Sequence, residues 1–380
     1  MNEISIYIHY PFCKSKCPYC DFNSYCNIKI DEDSLIQAYK NEINFYKKYI
    51  VNRDIKTIYF GGGTPSLMSE KLLSSILGEI SKIGNITDDC EITSEANPNS
   101  ANFEKLNNFK KIGINRLSLG VQSLYDEDLK FLGRIHNRAD AIQSIKDAQK
   151  IFKDRYTIDL IYTRPNQKIA NWLEELKEAI KLSPYHISLY QLIIEKGTPF
   201  YKRKMQLPDD DLSVEFYNKT YDFLESCGIN FYEISNYAKS GYESKHNLVY
   251  WKNGNWVGIG AGAHGRIDIN GSRYAIQNVK SPIKWVENCL KKQNGISIKS
   301  KLSNIEIIEE FVLMGLRIKE GIDIKDLQKN IKCNSFYDIL DKKNIQILTE
   351  NKLIISSPTN IKITKDGIVL LNSIIEKILP

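Results

Sequence analysis

Residues 4–22 read ISIYIHYPFCKSKCPYCDF, a short apolar run followed at once by a group of cysteines. The first half is rich in β-branched and aromatic residues, which is typical of a strand. The second half places Cys13, Cys17 and Cys20 within eight residues of each other. In parallel α/β barrels the active site lies where the strands end. The stretch therefore predicts a first strand that carries a thiol cluster at its C-terminal end.

The C-x3-C-x2-C spacing favours a metal cluster over a disulfide framework, because the chain is long and only these three of its 8 cysteines are grouped. Three thiolates can hold three irons of a cubane cluster and leave the fourth iron open, as a chemically active metal requires. The alternative is a structural zinc site, which would recruit a fourth ligand such as His9 or Cys26. The remaining cysteines are expected to be ordinary thiols: Cys26, Cys90, Cys227, Cys289 and Cys333.

From this stretch to about residue 193, short β-rich runs alternate with amphipathic helical stretches. This alternation predicts βα units around a parallel sheet. Six repeats fit a partial (β/α)6 barrel, although a doubly wound sheet would give the same pattern. Between the first two runs, apolar residues at intervals of three and four predict one helix face, formed by Ile36, Tyr39, Ile43, Tyr46 and Ile50. The predicted strands are Ile4–His9, Thr57–Phe60, Glu91–Glu95, Arg116–Val121, Thr157–Tyr162 and His186–Leu192.

The second half of the chain has weaker periodicity. A helical run after Pro208 leads to a predicted strand at residues 230–235, and the Gly-rich residues 254–271 are predicted as loops with one short strand. Ser303 and Glu306 form a capping-box pattern before an apolar helix. Apolar runs at residues 345–348 and 353–355 flank a turn and predict a hairpin, so the order of elements resembles a winged helix. The predicted division is residues 1–270 for the barrel with its loop region, 271–302 for a connecting segment, and 303–380 for a small winged-helix-like domain.

Composition and charge narrow the class of protein. The chain is 42% hydrophobic and 26% charged, which is ordinary for a globular protein. Its apolar stretches fall short of the roughly 20 residues that span a bilayer, and no basic-then-apolar leader is present, so a cytoplasmic location is expected. The net charge of +6 is spread along the chain, and residues 301–380 hold 12 Lys and Arg against 11 Asp and Glu. No nucleic-acid partner is therefore expected, whereas weak contact with an anionic membrane surface stays open.

Further motifs follow the next predicted strands. They are Gly61-Gly-Gly-Thr-Pro65 after the second strand, Glu95 at the end of the third, Gln122 at the end of the fourth, Arg134 beyond it, and Asp159 within the fifth. With the cysteine spacing and the aromatic residue after it, these motifs resemble radical S-adenosylmethionine (SAM) enzymes over nearly the whole chain. The resemblance is closest to the coproporphyrinogen dehydrogenase group and, within it, to the HemW-type haem chaperones. In radical SAM enzymes the open iron of a [4Fe–4S] cluster binds the amino and carboxylate groups of SAM and splits it reductively to a 5′-deoxyadenosyl radical.

The resemblance implies specific roles for these residues. Cys13, Cys17 and Cys20 would hold the [4Fe–4S] cluster. A first SAM molecule would contact Tyr7, Gly62 and Glu95. A second would contact Tyr19, Gly63, Thr64, Gln122, Arg134, Asp159 and Ile193. The chemistry agrees, because glycines let backbone amides approach a ligand that a Cβ would obstruct, and a carboxylate can accept from ribose hydroxyls or an amino group.

The segment His246-Asn-Leu-Val-Tyr-Trp251 resembles the one that distinguishes HemW-type proteins from the dehydrogenases. Imidazole is a common axial ligand of haem iron, and Tyr250 and Trp251 could stack on the flat macrocycle. The alternative is that His246 caps a loop while the aromatic rings pack in a domain interface. His264, in the Gly-rich region, is a second candidate ligand.

Departures from the dehydrogenase pattern separate the two groups. Phe22 stands where the dehydrogenases have a fourth cysteine, and twelve residues precede Cys13, where the dehydrogenases have a longer N-terminal cover. In Tyr162-Thr-Arg-Pro165, Arg164 departs from the Gly-Leu that usually precedes this proline in both groups. The expected function is a haem chaperone that passes its haem cargo to client haemoproteins. The alternatives are an oxygen-independent coproporphyrinogen III dehydrogenase and, in a third class, a winged-helix interaction protein with a structural metal.

Overall fold

Six parallel strands form the centre of the protein, a computed structural model that describes residues 3–331 and 339–379. The predicted strands are all present, as β1 (Glu3–Tyr10), β2 (Asp54–Gly62), β3 (Asn85–Ala96), β4 (Arg116–Gln122), β5 (Tyr156–Tyr162) and β6 (His186–Gln191). They pair in chain order from β1 to β6. Because nearly all such crossovers are right-handed, a sheet that grows in one direction keeps its connecting helices on one face. The fold is therefore the predicted partial barrel and not the doubly wound sheet.

The connecting helices are α1 (Glu32–Ile50), α2 (Glu70–Ile83), α3 (Phe103–Ile112), α4 (Asp126–Phe131), α5 (Arg138–Phe152) and α6 (Ile169–Leu182). The apolar face predicted for α1 is buried from Ile36 to Ile50. Asp31 caps the same helix by accepting from Ser34 N at 2.8 Å, which satisfies one of its free amide groups. The helix layer thus covers the outer face of the barrel and leaves the strand ends for a site.

The sheet continues beyond the barrel on both sides. The additional elements are α7 (Pro199–Lys202), α8 (Asp210–Ser226), β7 (Asn230–Glu233), β8 (Asn236–Ala238), α9 (Lys245–Trp251), β9 (Trp256–Ile259), β10 (His264–Ile269), β11 (Ser272–Asn278), α10 (Pro282–Lys292) and β12 (Ile296–Lys301). The twelve strands lie in the order β12-β11-β10-β9-β1-β2-β3-β4-β5-β6-β8-β7. Strand β9 pairs in parallel with β1, so seven parallel strands end at one edge.

The Gly-rich region holds two strands where the sequence predicted loops and one short strand. A Cβ at Gly258 would lie 2.1 Å from His264 O, so the glycine permits β9 and β10 to approach closely. The glycines that indicated loops are therefore needed by the strands themselves. Residues 271–302, predicted as a connecting segment, form β11, α10 and β12 of the same sheet.

The C-terminal part contains α11 (Asn304–Gly315), β13 (Ile322–Asp323), α12 (Ile324–Ile331), α13 (Lys342–Glu350), β14 (Ile354–Ser356), β15 (Asn360–Ile363), α14 (Lys365–Ile368) and α15 (Leu371–Ile378). The capping box of Ser303 and Glu306 is confirmed. The predicted hairpin was wrong in its first strand, because residues 345–348 lie in α13. Asp341 caps that helix, and Ile345 and Leu348 are buried one turn apart. The hairpin is β14–β15, in a three-stranded sheet ordered β13-β15-β14.

The C-terminal domain is attached to the barrel near β7 and β10. Arg266 of β10 forms an ion pair of 2.8 Å with Glu310 of α11. Backbone bonds join Ile234 N to Arg317 O and Lys319 N to Tyr232 O, both at 3.0 Å. Within the described ranges, no helix is both long enough and apolar enough to cross a membrane. Cys333, one of the scattered cysteines, lies outside the described residues.

Candidate functional site

The loop that follows β1 holds the three grouped cysteines at the C-terminal edge of the parallel strands. Cys13 N donates to Tyr25 O at 3.0 Å, and Cys20 N donates to Cys17 O at 3.1 Å. The Lys16 ammonium donates to Phe22 O and Ser24 O, which closes the loop on itself. The three thiols are free and half-buried. We call residues 11–25 the cysteine loop.

A polar group of the barrel or of the cysteine loop itself faces each thiol. Thr64 Oγ1 donates to Cys13 Sγ at 3.5 Å, and Arg134 Nη1 donates to Cys17 Sγ at 3.3 Å. Ser24 Oγ lies 3.9 Å from Cys20 Sγ. Burial raises the pKa of the Cys13 and Cys20 thiols. A metal with thiolate affinity would replace those protons, and the donors would then stabilise the sulfur charge. This donor set fits an iron–sulfur cluster.

His9 does not offer a fourth ligand for a zinc ion. Its Nδ1 lies 2.9 Å from Tyr7 Oη, and its Nε2 lies 2.9 Å from Asn23 O, so both ring nitrogens have partners. Cys26 is close enough to Cys13 to affect the pKa of that thiol. The observed bonding of His9 therefore argues against one of the two ways in which a zinc site could be completed.

The Gly61–Gly63 turn at the end of β2 fits the cysteine loop closely. Gly62 has a φ of +111°, and its amide donates to Glu95 Oε2 at 3.1 Å. A Cβ at Gly63 would lie 2.7 Å from Phe12 O and 2.9 Å from Pro11 C. Gly63 is therefore required by the backbone of the cysteine loop, whereas Gly62 borders the interior of the barrel.

Two buried carboxyl groups occupy the barrel interior. Glu95 Oε1 accepts from Tyr59 Oη at 3.0 Å, and burial raises the pKa of Glu95 to about 7. Asp159 Oδ2 accepts from Ser118 Oγ at 2.9 Å, and burial raises the pKa of Asp159 to about 6. Its other oxygen, Oδ1, is buried without a partner within the described residues. A ligand with a cationic group or hydroxyl groups would stabilise both carboxyls in their ionised form, and SAM carries both kinds of group.

A cavity of about 720 Å³ opens between the cysteine loop, the barrel interior and β9–β10. Its volume is in the range of ligand pockets. The three residues predicted for the first SAM line it together: Tyr7, Gly62 and Glu95. The other lining residues are His9, Lys16, Asp21, Phe22, Asn23, Ser24, Tyr25, Tyr250, Trp256, Gly262, His264 and Lys280.

The residues predicted for a second SAM are not gathered in this cavity. Thr64 and Arg134 line a separate pocket of about 20 Å³, which has room for about one water molecule. Arg134 is held there by Asn97 Oδ1 at 2.6 Å and Gly120 O at 2.9 Å, besides its bond to Cys17. The others lie around the barrel. Tyr19 contacts Phe200, Gln122 ends β4 with a φ of +71°, Gly63 packs on the cysteine loop, Asp159 lies in β5, and Ile193 is 62% exposed beyond β6.

His246 is fully buried beneath this cavity, in α9. Its Nδ1 lies 2.6 Å from Thr57 Oγ1, and its Nε2 lies 2.7 Å from Tyr250 Oη. Burial lowers the pKa of His246 to about 3, so its ring is neutral and has no nitrogen left for a ligand. We therefore replace the predicted role of an axial ligand with a supporting one, in which His246 holds Tyr250.

Tyr250 and Trp251 point to different surroundings. Tyr250 lines the cavity and makes an edge contact with Trp256 at 4.8 Å. Trp251 instead contacts the buried carboxyl of Glu233 and is not among the residues that line the cavity. The flat apolar wall predicted from the pair Tyr250 and Trp251 is thus formed by Tyr250 and Trp256.

His264 lies at the rim of the cavity, with an exposed ring. Within the described residues, its ring nitrogens have no hydrogen-bond partner. Burial of part of the ring, aided by the charges of Arg266 and Lys280, lowers the pKa of His264. The ring is therefore neutral at pH 7 and able to donate a lone pair.

Asn23, Trp256 and Lys280 are site residues that the sequence analysis did not single out. Asn23 Nδ2 donates to Ala261 O at 2.9 Å and to Lys280 O at 3.0 Å, which ties the cysteine loop to the loop before β10. These contacts join residues more than 230 positions apart, so no local pattern could have indicated them. The loop of residues 260–263, which leads to His264, is hereafter the histidine loop.

Arg164, which departs from the family pattern, is buried and paired. It forms ion pairs with Glu175 at 2.7 Å and with Asp128 at 3.1 Å. Glu175 Oε1 in turn accepts from Leu124 N at 2.8 Å. The added charge is therefore neutralised inside the protein, behind the site.

Two family models match the sequence. Residues 7–182 match the radical SAM superfamily, and residues 302–370 match the HemN C-terminal domain. The first match covers β1 to α6, including the cysteine loop and the Gly61–Gly63 turn. The second begins one residue before the capping box of α11.

Several curated proteins are similar over most of their length. The heme chaperone HemW of Haemophilus influenzae is 34% identical over 384 residues, which cover 99% of this chain and 98% of the relative. The radical S-adenosyl methionine domain-containing protein 1, mitochondrial, of Danio rerio is 33% identical and covers 99% of this chain and 87% of the relative. The heme chaperone HemW of Escherichia coli is 40% identical over 268 residues, 70% of this chain and 71% of the relative.

Among solved structures, the coproporphyrinogen III oxidase HemN of Escherichia coli superimposes with a TM-score of 0.84. The match covers 99% of this chain and 89% of that chain, at 21% sequence identity. At this identity the likeness supports the architecture of the fold.

Proposed function

The chain belongs to the radical SAM superfamily, and on that premise we propose that it is a haem chaperone that delivers haem to client haemoproteins. The observation that carries the proposal is the similarity of nearly the whole chain to proteins named heme chaperone HemW. A cavity lined by residues of the cysteine loop, by the buried carboxyl of Glu95 and by an aromatic wall supports it, because such a chamber suits a polar cation and a flat apolar cargo next to a metal cofactor.

Cys13, Cys17 and Cys20 would hold a [4Fe–4S] cluster, which would supply the electron for reductive cleavage of SAM. The support is the donor set: three free, half-buried thiols that receive bonds from Thr64 and Arg134. The protein's own contribution is to orient the sulfurs and to stabilise their charge.

The test of the cluster site compares Cys17→Ser with Cys90→Ser. Cys90 is buried on β3, away from the cysteine loop. After anaerobic reconstitution, Cys17→Ser should lose the broad visible absorption and most of the bound iron, because a serine hydroxyl is a poor ligand for the cluster. Cys90→Ser should keep both. Loss of iron in Cys90→Ser with retention in Cys17→Ser would contradict the assignment.

SAM would bind at the inner part of the cavity, against Tyr7, Gly62 and Glu95. The raised pKa of Glu95 supports this placement, because a buried carboxyl of that kind gains from a cationic amino group. The narrow pocket beside Arg134 gives no comparable room for a second SAM molecule. We therefore propose one SAM per chain at the inner part of the cavity.

The competing function is oxygen-independent coproporphyrinogen III dehydrogenation, which the fold of HemN favours. Phe22 argues against it. This residue stands at the position of the dehydrogenases' fourth cysteine, lines the cavity and is 59% exposed. An apolar ring at the mouth suits contact with a macrocycle but supplies no sulfur ligand.

The deciding experiment uses one anaerobically reconstituted preparation. Haem is added, a Soret band is recorded, and transfer to an apo-haemoprotein is followed over time. In parallel, coproporphyrinogen III is supplied with SAM and a reductant, and decarboxylation is measured. The chaperone proposal expects haem binding and transfer without decarboxylation. Decarboxylation by protein that binds no haem would establish the dehydrogenase.

Some predictions extend this proposal. A cytoplasmic, reducing location would keep the thiols of the cysteine loop available for iron. Contact with an anionic membrane surface, where a client could reside, is proposed as weak and peripheral. The division of the chain near residue 303 is kept as a proposal, whereas residues 271–302 fold with the barrel because they add β11 and β12 to its sheet.

A further inference from the structure

The chain has 5 histidines, and four of them are committed to internal contacts. His9 and His246 have partners on both ring nitrogens. So does His186, through Thr157 Oγ1 and Tyr232 Oη. His136 is 3% exposed, and its Nε2 lies 3.0 Å from Val121 O. His264 is the remaining histidine, and its exposed ring lies at the rim of the cavity.

The fold fixes His264 next to an aromatic wall. His264 begins β10, and Trp256 Nε1 donates to His264 O at 3.0 Å. Trp256 contacts Tyr250 at 4.8 Å, and Tyr250 is held from below by His246. Phe22 of the cysteine loop lines the same cavity, and its side chain is exposed. A flat apolar disc can therefore lie between Phe22 and this wall, with the free imidazole on the side of the wall, facing one face of the disc.

A positively charged side chain at the rim of the cavity can bind a carboxylate at the edge of such a disc. Lys280 lines the cavity near His264 and forms no ion pair within residues 3–331 and 339–379. Lys16 lines the cavity too, but its ammonium is bound to Phe22 O and Ser24 O. Lys280 is therefore the cation at the rim that can pair with a carboxylate of a ligand.

From these contacts we propose that His264 is the axial ligand of the haem cargo, with the macrocycle between Phe22 and the Tyr250–Trp256 wall and a propionate at Lys280. The inference rests on the proposed function and assigns its binding site. It places haem in the outer part of the cavity that SAM would enter. The neutral imidazole donates a nitrogen lone pair to the iron, and no bond of the protein is broken.

The test is a haem titration of the reconstituted protein, with the haem-free holoprotein as the optical blank. His264→Ala should weaken haem binding by at least about tenfold and shift the Soret maximum, because the axial donor is lost. Added imidazole should restore the wild-type spectrum in this variant. The cluster absorption should be unchanged, because none of its ligands is altered.

Lys280→Ala tests the edge contact, and Lys252→Ala, an exposed lysine after α9 and outside the cavity lining, is the matched control. Lys280→Ala should weaken the binding of haem several-fold but leave the binding of haem dimethyl ester unchanged, because the ester has no propionate charge. Lys252→Ala should behave as wild type with both ligands.

The outcomes separate this inference from the proposed function. Wild-type protein that binds and transfers haem, together with a His264→Ala variant of unchanged spectrum and affinity, overturns the ligand assignment and leaves the chaperone function standing. A lost spectrum that imidazole does not restore also overturns the assignment, because the change would then be structural. Wild-type protein that binds no haem overturns both.

Discussion

Gly63 has no side chain because the backbone of the cysteine loop passes directly over it. The nearest backbone atoms belong to Phe12, the residue before the first cluster cysteine. From the sequence, Gly63 is predicted to contact SAM, because a Cβ would obstruct the ligand, and on that interpretation a larger residue should impair SAM binding. In the structure, a Cβ at position 63 would collide with the loop that holds the thiols. We therefore expect a larger residue there to disturb the cluster site first.

Gly63→Ala should therefore lower the iron content after reconstitution, even before SAM is added. A single methyl group 2.7 Å from Phe12 O must push the cysteine loop away. Gly78→Ala, in α2, is the control, because a Cβ there meets nothing within 4 Å. The readout is iron and sulfide per chain. Full iron content with impaired SAM binding would restore the original interpretation of Gly63.

At the same scale, a local pattern could locate the grouped thiols after β1 and the residues Gly62 and Glu95 at strand ends. The structure brings Gly62 and Glu95 to one cavity with Tyr7, and their contact with SAM stays a prediction. A local pattern could not distinguish His246 from His264. Both are single imidazoles near aromatic residues, and only the partners in space, such as Thr57 for His246, show which ring is committed.

Among the helices and strands, α1 carries a buried glutamate whose hydrogen bonds fix several backbone segments next to the site. Glu42 Oε2 accepts from Gly260 N at 2.8 Å and Trp285 Nε1 at 2.9 Å, while Oε1 accepts from Gly295 N at 2.8 Å and Asn278 Nδ2 at 3.0 Å. Four donors fill the acceptor positions of one carboxylate. Helix α1 thereby anchors the histidine loop and the start of β12.

Glu42→Gln should lower the free energy of unfolding by about 2 kcal/mol or more. The new NH2 group cannot accept a hydrogen bond, so two of the four donors lose their acceptor. Glu287→Gln, at an exposed position of α10, should change it little. Anaerobic urea unfolding measures both at pH 8, where Glu42 with its pKa of about 7 is ionised. Equal stability of the two variants would show that the buried carboxylate is not the anchor of these loops.

The elements that the sequence missed are the short ones. Strand β9 has four residues, too few to establish a period of two, and it is stabilised by pairing with β1, about 250 residues earlier. The short run Ile-Gln-Ile-Leu at residues 345–348 was predicted as a strand and is helical, since four residues with one polar position fit a strand as well as one buried turn of helix.

Across the whole molecule, buried acids set how stability depends on pH. Burial raises the pKa of Glu233 to about 8, of Glu42 and Glu95 to about 7, and of Asp159 to about 6. The folded state then binds more protons than the unfolded state, so these groups make stability fall as pH rises through their folded pKa values. Buried histidines act oppositely, as burial lowers the pKa of His136 to about 4 and of His246 to about 3.

Above about pH 6.5, the pKa of histidine in the unfolded chain, the buried histidines no longer make stability depend on pH. In that range only the buried acids do. The melting temperature should therefore be highest near pH 6 and fall toward pH 8. Glu233→Gln should flatten this fall, because the amide has no proton to lose in this pH range and its oxygen can still accept from Asn236 and Asn247. Glu287→Gln should leave the slope unchanged. A melting temperature that rises from pH 6.5 to pH 8 would contradict the assignment of these protons.

Asn23 joins the two loops of the site through one side chain, since its amide holds Ala261 O and Lys280 O while its backbone receives His9 Nε2. Neither loop can shift without straining these bonds, so the loops behave as one mechanical unit. If the cluster were lost, the cysteine loop would relax and pull on the histidine loop at Ala261 and on the segment after β11 at Lys280. Retention of cargo would then depend on an intact cluster, and a damaged chaperone would release its haem before reaching a client.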